Sequence, residues 1–202
     1  MPTLQRFMMF LKTQSDACFI ESMIACFAAP VIDGLKCGHL LNLSRRGQNL
    51  SSAWNATKDE LAARFGVEFL EVAQRSERSS LLILIYDRER LLAAIDGEET
   101  RDFLRTCGYN CDVPGDAWID GAFRRLVERF ERGVPHEVGV FLGYPLEDVR
   151  GFIENEGRNA KCAGYWKVYG DERAARRTFR AYRRSEWSGA RRLLRRAGVP
   201  AV

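Results

Sequence analysis

Nowhere along its 202 residues does the chain carry an apolar run of the ~18 residues that a membrane span requires. Its longest strongly apolar stretch, Leu81 to Ile85, is the size of a strand, so no span is expected. The opening MPTLQRFMMFLKTQSD has no basic segment ahead of its apolar stretch and no small-residue cleavage site. No signal peptide is predicted, and the expected location is cytoplasmic. Neither GxxxxGK(S/T) nor GxGxxG occurs, so no nucleotide class can be assigned from a phosphate-cradling loop. His136-Glu137 opens no HExxH motif, because the fourth residue after His136 is Val140. Zinc-peptidase chemistry is excluded on that ground.

Cysteine lacks a pattern rather than numbers. The six thiols are Cys18, Cys26, Cys37, Cys107, Cys111 and Cys162. A chain of this length, 46% hydrophobic, can fold on its own core without disulfides, and free thiols are expected in a reducing compartment. Cys18 and Cys26 fall in an apolar helical stretch and read as small core residues. Cys107 and Cys111 stand four apart, but no second pair and no nearby histidine completes a zinc set, so no metal is expected. Cys37 and His39 would be the first positions to examine if one were found. Internal repeats and low-complexity linkers are also missing. The reading is one domain, 1–202, with a hinge near 133–135 and a C-terminal module over 136–197.

Helical periodicity dominates what is present. Phe7, Phe10 and Leu11 open one helix; Phe19, Met23 and Phe27 share a face of a second, which Pro30 is expected to stop. Residues 30–52, with three glycines and short apolar runs, read as irregular. A helix from Ser52 to Phe65 follows, with Gly66 past its end. VEFLEV (67–72) and LLILIY (81–86) read as strands, the second apolar throughout as if covered on both faces. Asp87 can cap a helix to Ile95, Glu98 to Cys107 forms another, and Asp116 to Arg132 carries one broad apolar face before Gly133 and Pro135. YWKVY (165–169) reads as a strand joining the sheet. Two more helices then follow, one carrying Ala175, Phe179 and Tyr182, the other running from Trp187 to Ala197. The predicted class is α+β, a small mixed or antiparallel sheet surrounded by about seven helices.

Charge is unevenly placed. Residues 158–196 hold 13 Lys or Arg against 3 Asp or Glu, a local +10 in a chain of net +4, which leaves −6 for the remainder. A basic tail on a mildly acidic body suits an anionic partner.

The segment from Pro135 to Tyr169, PHEVGVFLGYPLEDVRGFIENEGRNAKCAGYWKVY, concentrates polar chemistry. Together with the following GDERAARRTF it resembles a bacterial family known only as domain of unknown function 3793. The resemblance extends over most of the chain and includes AAPVIDGLKCGHLLNL, where the family pattern runs His-Cys-Ala-Pro-Thr-Leu-x-Gly-x-Lys. Phe27 and Ala28 occupy the His and Cys places here, so the resemblance implies no catalytic His or thiol from that stretch. It implies no reaction either.

Two functions remain open from the residues. In the first, a small-ligand or anionic-cofactor site gathers His136, Glu137, Asp148 and Cys162 as catalytic candidates. Histidine would be the base, a carboxylate its orienter, and Cys162 a thiol beside Lys161 and Arg158. Tyr144, Asn155, Arg158, Lys161, Tyr165, Lys167 and Tyr169 would bind the ligand, with Tyr165, Lys167 and Tyr169 on one strand face and Trp166 and Val168 on the other. In the second, a helical hairpin over 136–153 and the basic 158–196 region, through Arg176, Arg180 and Arg184, bind nucleic acid. Small Gly139 would let the hairpin helices cross closely. The second helix would expose Glu147, Asp148, Arg150 and Gly151, and two carboxylates there disfavour DNA reading.

Overall fold

The computed structural model describes residues 3–45, 48–75, 80–112 and 116–199. Its chain order begins with α1 (Thr3–Lys12), α2 (Asp16–Phe27) and α3 (Ala29–Ile32). The Ser15 hydroxyl caps α2 by accepting from the Cys18 amide; α2 ends at Phe27, ahead of Pro30 as expected, and Pro30 itself sits in the first turn of α3. Strand β1 (Gly38–Ser44) follows, then α4 (Ser51–Phe65), β2 (Glu68–Arg75) and β3 (Ser80–Tyr86). Gly66 closes α4 in the left-handed conformation, as its place past the last apolar residue predicts. The turn expected between β2 and β3 falls partly outside the described residues.

β3 is the central strand of an antiparallel sheet ordered β1-β3-β2. Leu81, Ile83 and Ile85 face a core built with Phe7, Ile20, Ile24 and Trp54; Leu84 and Tyr86 face the opposite core. That double cover is why LLILIY is apolar at every position. β1 corrects the reading of 30–52 as irregular. Its Leu41 and Leu43 point into the first core while Leu40 packs on the second, an alternation that Gly38, His39 and Asn42 obscure in the sequence.

The second core is roofed by α5 (Arg88–Ile95), α6 (Glu98–Thr106), α7 (Asp116–Phe130) and α8 (Val138–Phe141). Asp87 caps α5 through the Arg90 amide. A cap by Asp116 lies outside the described side chains. The chain ends with α9 (Leu146–Glu154), β4 (Cys162–Ala163), β5 (Lys167–Val168) and α10 (Glu172–Arg196), capped by the Asp171 carboxylate on the Ala174 amide.

The class is α+β, with ten helices among the described residues instead of about seven. The two C-terminal helices are one. Ser185 and Gly189, which weaken a helix in isolation, are used where α10 crosses the N-terminal helices: the Ser185 hydroxyl donates to Asp33 at 2.5 Å, and a Cβ on Gly189 would collide with the Ala25 carbonyl. A second correction concerns YWKVY. It does not join the main sheet. Lys167 and Val168 pair only with Cys162 and Ala163 in a separate two-stranded ribbon.

Candidate functional site: an aromatic cleft between a helical hairpin and a short ribbon

α8 and α9 form a tight hairpin. Gly143, at φ +69°, makes the turn, and Gly139 permits the crossing, since a Cβ there would stand 2.8 Å from Val149 Cγ2. One face of α9 does not meet solvent as expected. Asp148 and Gly151 are buried because the β4–β5 ribbon and Tyr169 lie across them.

Asp148 holds the ribbon in place. Its Oδ1 accepts from the backbone amides of Tyr169 (2.6 Å) and Gly170 (2.7 Å), and its Oδ2 accepts from Trp166 Nε1 (2.7 Å). A carboxylate only 3% exposed thus has donors on both oxygens, two of them main-chain. Lys161 adds a second tie through its ammonium to the Gly170 carbonyl at 2.7 Å. Trp166, fixed through its ring nitrogen, stacks on Tyr144 at 4.8 Å and 27°, and the Tyr144 hydroxyl donates to the Tyr165 carbonyl at 3.1 Å.

Between hairpin and ribbon lies a cleft of about 380 Å³. Tyr144 and Trp166 line it, as do His136 and Phe152, whose rings meet edge-on at 5.0 Å. Gly139 and Val149 belong to its lining, and exposed Val134 stands at its edge. Lys167 is its one cationic lysine or arginine; the ammonium donates to the Gly157 carbonyl and lies 5.8 Å from the Phe152 ring centre. The imidazole of His136 has no hydrogen-bond partner among the described residues. It also borders a neighbouring depression that contains Glu137, Cys107 and Arg129.

The cleft therefore brings together His136, Tyr144, Asp148 and Lys167 from the residues singled out in the sequence, and leaves others elsewhere. Glu137, 2% exposed, is ion-paired with Arg129 and accepts from the Tyr109 hydroxyl at 3.2 Å. Asn155 caps α9 by donating to the Gly151 carbonyl, and Arg158 pairs with Glu156 on the surface. Tyr165 turns toward α10, its hydroxyl donating to Glu186 at 2.7 Å. Tyr165 and Trp166 both pack on Phe179, so the alternation of faces expected for a strand fails there. Cys162 packs in the small cluster around Val168 and Phe179, outside the lining of the cleft. The Tyr169 hydroxyl is buried without a partner among the described residues.

A family model described as "Protein of unknown function (DUF3793)" matches residues 24–200. The chain belongs to that family. No curated protein and no solved structure matches it. The matched span contains the hairpin, the ribbon, all of α10 and the whole of the central sheet.

Within that span Lys36 escapes sequence reasoning. It is 5% exposed, directly behind Tyr144, with its ammonium 5.2 Å from the Tyr144 ring centre and 5.7 Å from that of Tyr182. No carboxylate lies within ion-pairing distance among the described residues; the field of Glu186 reaches it, but Glu186 is engaged by Tyr165. Burial pulls the lysine down to about 8. The same burial pushes the Cys37 thiol up to about 11 and the Tyr144 phenol up to about 12. The available signal was a charged residue set among Leu35, Cys37 and Gly38 in an apolar stretch.

All six cysteines are unpaired. Among the described residues, no three or more His, Cys, Asp or Glu side chains gather as a metal site would require, and no helix is long and apolar enough to cross a membrane. Of the three arginines proposed for nucleic acid, Arg176 is held by Glu172, whereas Arg180 and Arg184 project from α10 without ion pairs among the described residues.

Proposed function

We propose that this protein binds a small, flat, largely apolar molecule carrying an anionic group, in the cleft between hairpin and ribbon. The observation behind this reading is the aromatic lining. Two ring pairs, Tyr144–Trp166 and His136–Phe152, border one cleft whose volume lies within the range of small-molecule sites. The Trp166 and Tyr144 rings are each fixed by a hydrogen bond, so little side-chain freedom is lost when a ligand stacks against them. Lys167 keeps two donors for an anionic substituent at the edge, beyond the one given to Gly157. The reading is one of binding and includes no reaction, because both nearby carboxylates, Asp148 and Glu137, are engaged by other donors. It sets the protein in the cytoplasm, where six unpaired thiols are at home.

The probe that tests it is 8-anilinonaphthalene-1-sulfonate, a flat aromatic anion, compared with the uncharged N-phenyl-1-naphthylamine. One saturable site is expected, weakened about tenfold or more by Trp166→Ala. Lys167→Gln should weaken the sulfonate and spare the uncharged probe. Unsaturable binding, or equal binding by the Trp166→Ala protein, would remove the proposal.

A further inference from the structure

We propose that the solvent face of α10 binds single-stranded nucleic acid. Arg173, Arg177, Arg180, Arg184, Arg191 and Arg195 follow one another at helical spacing and all are exposed. They form a single stripe about 33 Å long at 1.5 Å per residue. The opposite face of the helix, with Ala175, Phe179, Tyr182, Ala190 and Leu194, is buried in the protein, so the stripe points outward.

Ion pairing separates this stripe from most of the arginines beside it; Arg183 is the exception, exposed and near Glu186 as a charge without an ion pair among the described residues. Arg176, Arg192 and Arg196, which lie beside it, are paired with Glu172, Asp33 and Glu21. None of the six stripe arginines makes an ion pair among the described residues. Arg173 and Arg177 feel the Asp171 carboxylate only as a nearby charge. The flanking arginines help fasten α10 to the N-terminal helices or to its own first turn; those of the stripe tie α10 to no other element, and Arg191 only donates to the Trp187 carbonyl one turn back.

Trp187 decides which polyanion suits the stripe. It lies on the same face, between Arg184 and Arg191, is 48% exposed, and makes no ring contact among the described residues. An exposed indole within a row of guanidinium groups offers a stacking surface for an unpaired base while the arginines take phosphates. A duplex keeps its bases stacked inside and has no use for the indole. An anionic membrane would need an apolar face to insert, and that face of α10 is already buried.

The test is a fluorescence-anisotropy titration of the full chain with labelled 20-mer dT and rU strands, a 20-bp duplex, polyglutamate, and phosphatidylserine vesicles. Micromolar or tighter binding to the single strands is expected at ~50 mM salt. If all six arginines take phosphates, the log–log salt slope should be about −4, so affinity falls by two orders of magnitude or more by ~200 mM. Replacing Arg180, Arg184 and Arg191 together by Gln should reduce that slope by about 2, because three phosphate contacts go. Trp187→Ala should weaken strand binding about tenfold with the slope unchanged. Apart from a long hydrogen bond from Arg191 Nε to the Trp187 carbonyl within α10, which survives Trp187→Ala, these side chains hold no hydrogen bond or ion pair among the described residues, so circular dichroism and melting should be preserved in both variants, and cleft binding of the naphthalene probe should persist. Absence of binding at low salt overturns the proposal. So does tighter binding to the duplex, equal binding to polyglutamate or vesicles, or insensitivity to Trp187→Ala.

Discussion

The sheet-centred body and the C-terminal module order their chains by different means. In the body, β3 pairs on both edges and packs on both faces, so ladder hydrogen bonds and apolar packing act on the same six residues, Leu81 to Tyr86. In the module, β4 and β5 are two residues each, too short to stand on their own pairing. Their place is set by side-chain ties, Asp148 from α9, Tyr144 to Tyr165, and Lys161 beside β4 to Gly170, together with a small apolar cluster of Val168 on Ala175 and Phe179. The body should therefore fail as a unit when its core is cut, whereas the module should open locally when a clamp is cut.

The sharpest way to break that contrast sets Ile83→Ala against Asp148→Ala. Ile83 is fully buried at the centre of β3. Its truncation should cost about 2–5 kcal/mol of global stability. Asp148→Ala leaves two main-chain amides and an indole N–H without their acceptor, a cost also on the order of 4 kcal/mol, but confined to the ribbon. Hydrogen exchange measures both. Amides of Tyr169 and Gly170 should lose protection in Asp148→Ala while those of β3 keep theirs. Equal loss across sheet and ribbon would make the molecule one cooperative unit and end the comparison.

Lys36 gives a second, smaller effect with a pH signature. Its ammonium belongs to the body, just ahead of β1, yet is buried against ring faces of Tyr144 and Tyr182 from the C-terminal module with no paired carboxylate among the described residues. The fall from 10.5 to about 8 corresponds to about 3 kcal/mol against the charged form. The two ring contacts offset about 1 kcal/mol of that, so Lys36→Met should stabilise the protein by about 2 kcal/mol at pH 7. Below pH 8 the lysine is protonated in folded and unfolded chains, and the full cost applies. Between pH 8 and 10.5 the folded protein gives up the proton while the unfolded chain keeps it, so stability of the Lys36 protein rises with pH. The advantage of Lys36→Met should shrink over that interval, as denaturant melts at pH 7, 9 and 10.5 would show. A constant difference would mean that the ammonium is solvated.

The same division explains what the sequence discloses. LLILIY is legible because burial on two faces leaves a purely local mark, and the cap at Asp87 is legible because the acceptor and its amide lie within three residues. The ribbon is not, since the residue that fixes it, Asp148, precedes its amide partners Tyr169 and Gly170 by 21 and 22 positions. α10 reads as two helices because the value of Ser185, which falls at the expected break, lies in a hydrogen bond to Asp33, 152 positions away in the chain. Of the cleft, the sequence points to His136, Tyr144 and Lys167 through density of chemistry. It cannot tell that Glu137 faces Arg129, or that Lys36 comes to lie behind Tyr144.

Tyr144→Phe sharpens the comparison at its smallest scale. The change removes the hydroxyl that donates to the Tyr165 carbonyl and leaves the ring stacked on Trp166 with Lys36 behind it. Loss of one hydrogen bond to a part-buried carbonyl should cost about 1 kcal/mol. If side-chain ties order the module, that cost should be concentrated in it, with faster exchange at the Gly164 amide, whose partner is the Trp166 carbonyl across the ribbon turn. Stacking alone would still hold the indole, so affinity for the naphthalene probe should change less than twofold even as the ribbon loosens. A large loss of probe binding would show that the hydroxyl, and not the ring, is what the cleft needs from Tyr144. Unaltered exchange at Gly164 would leave Asp148 as the clamp that matters.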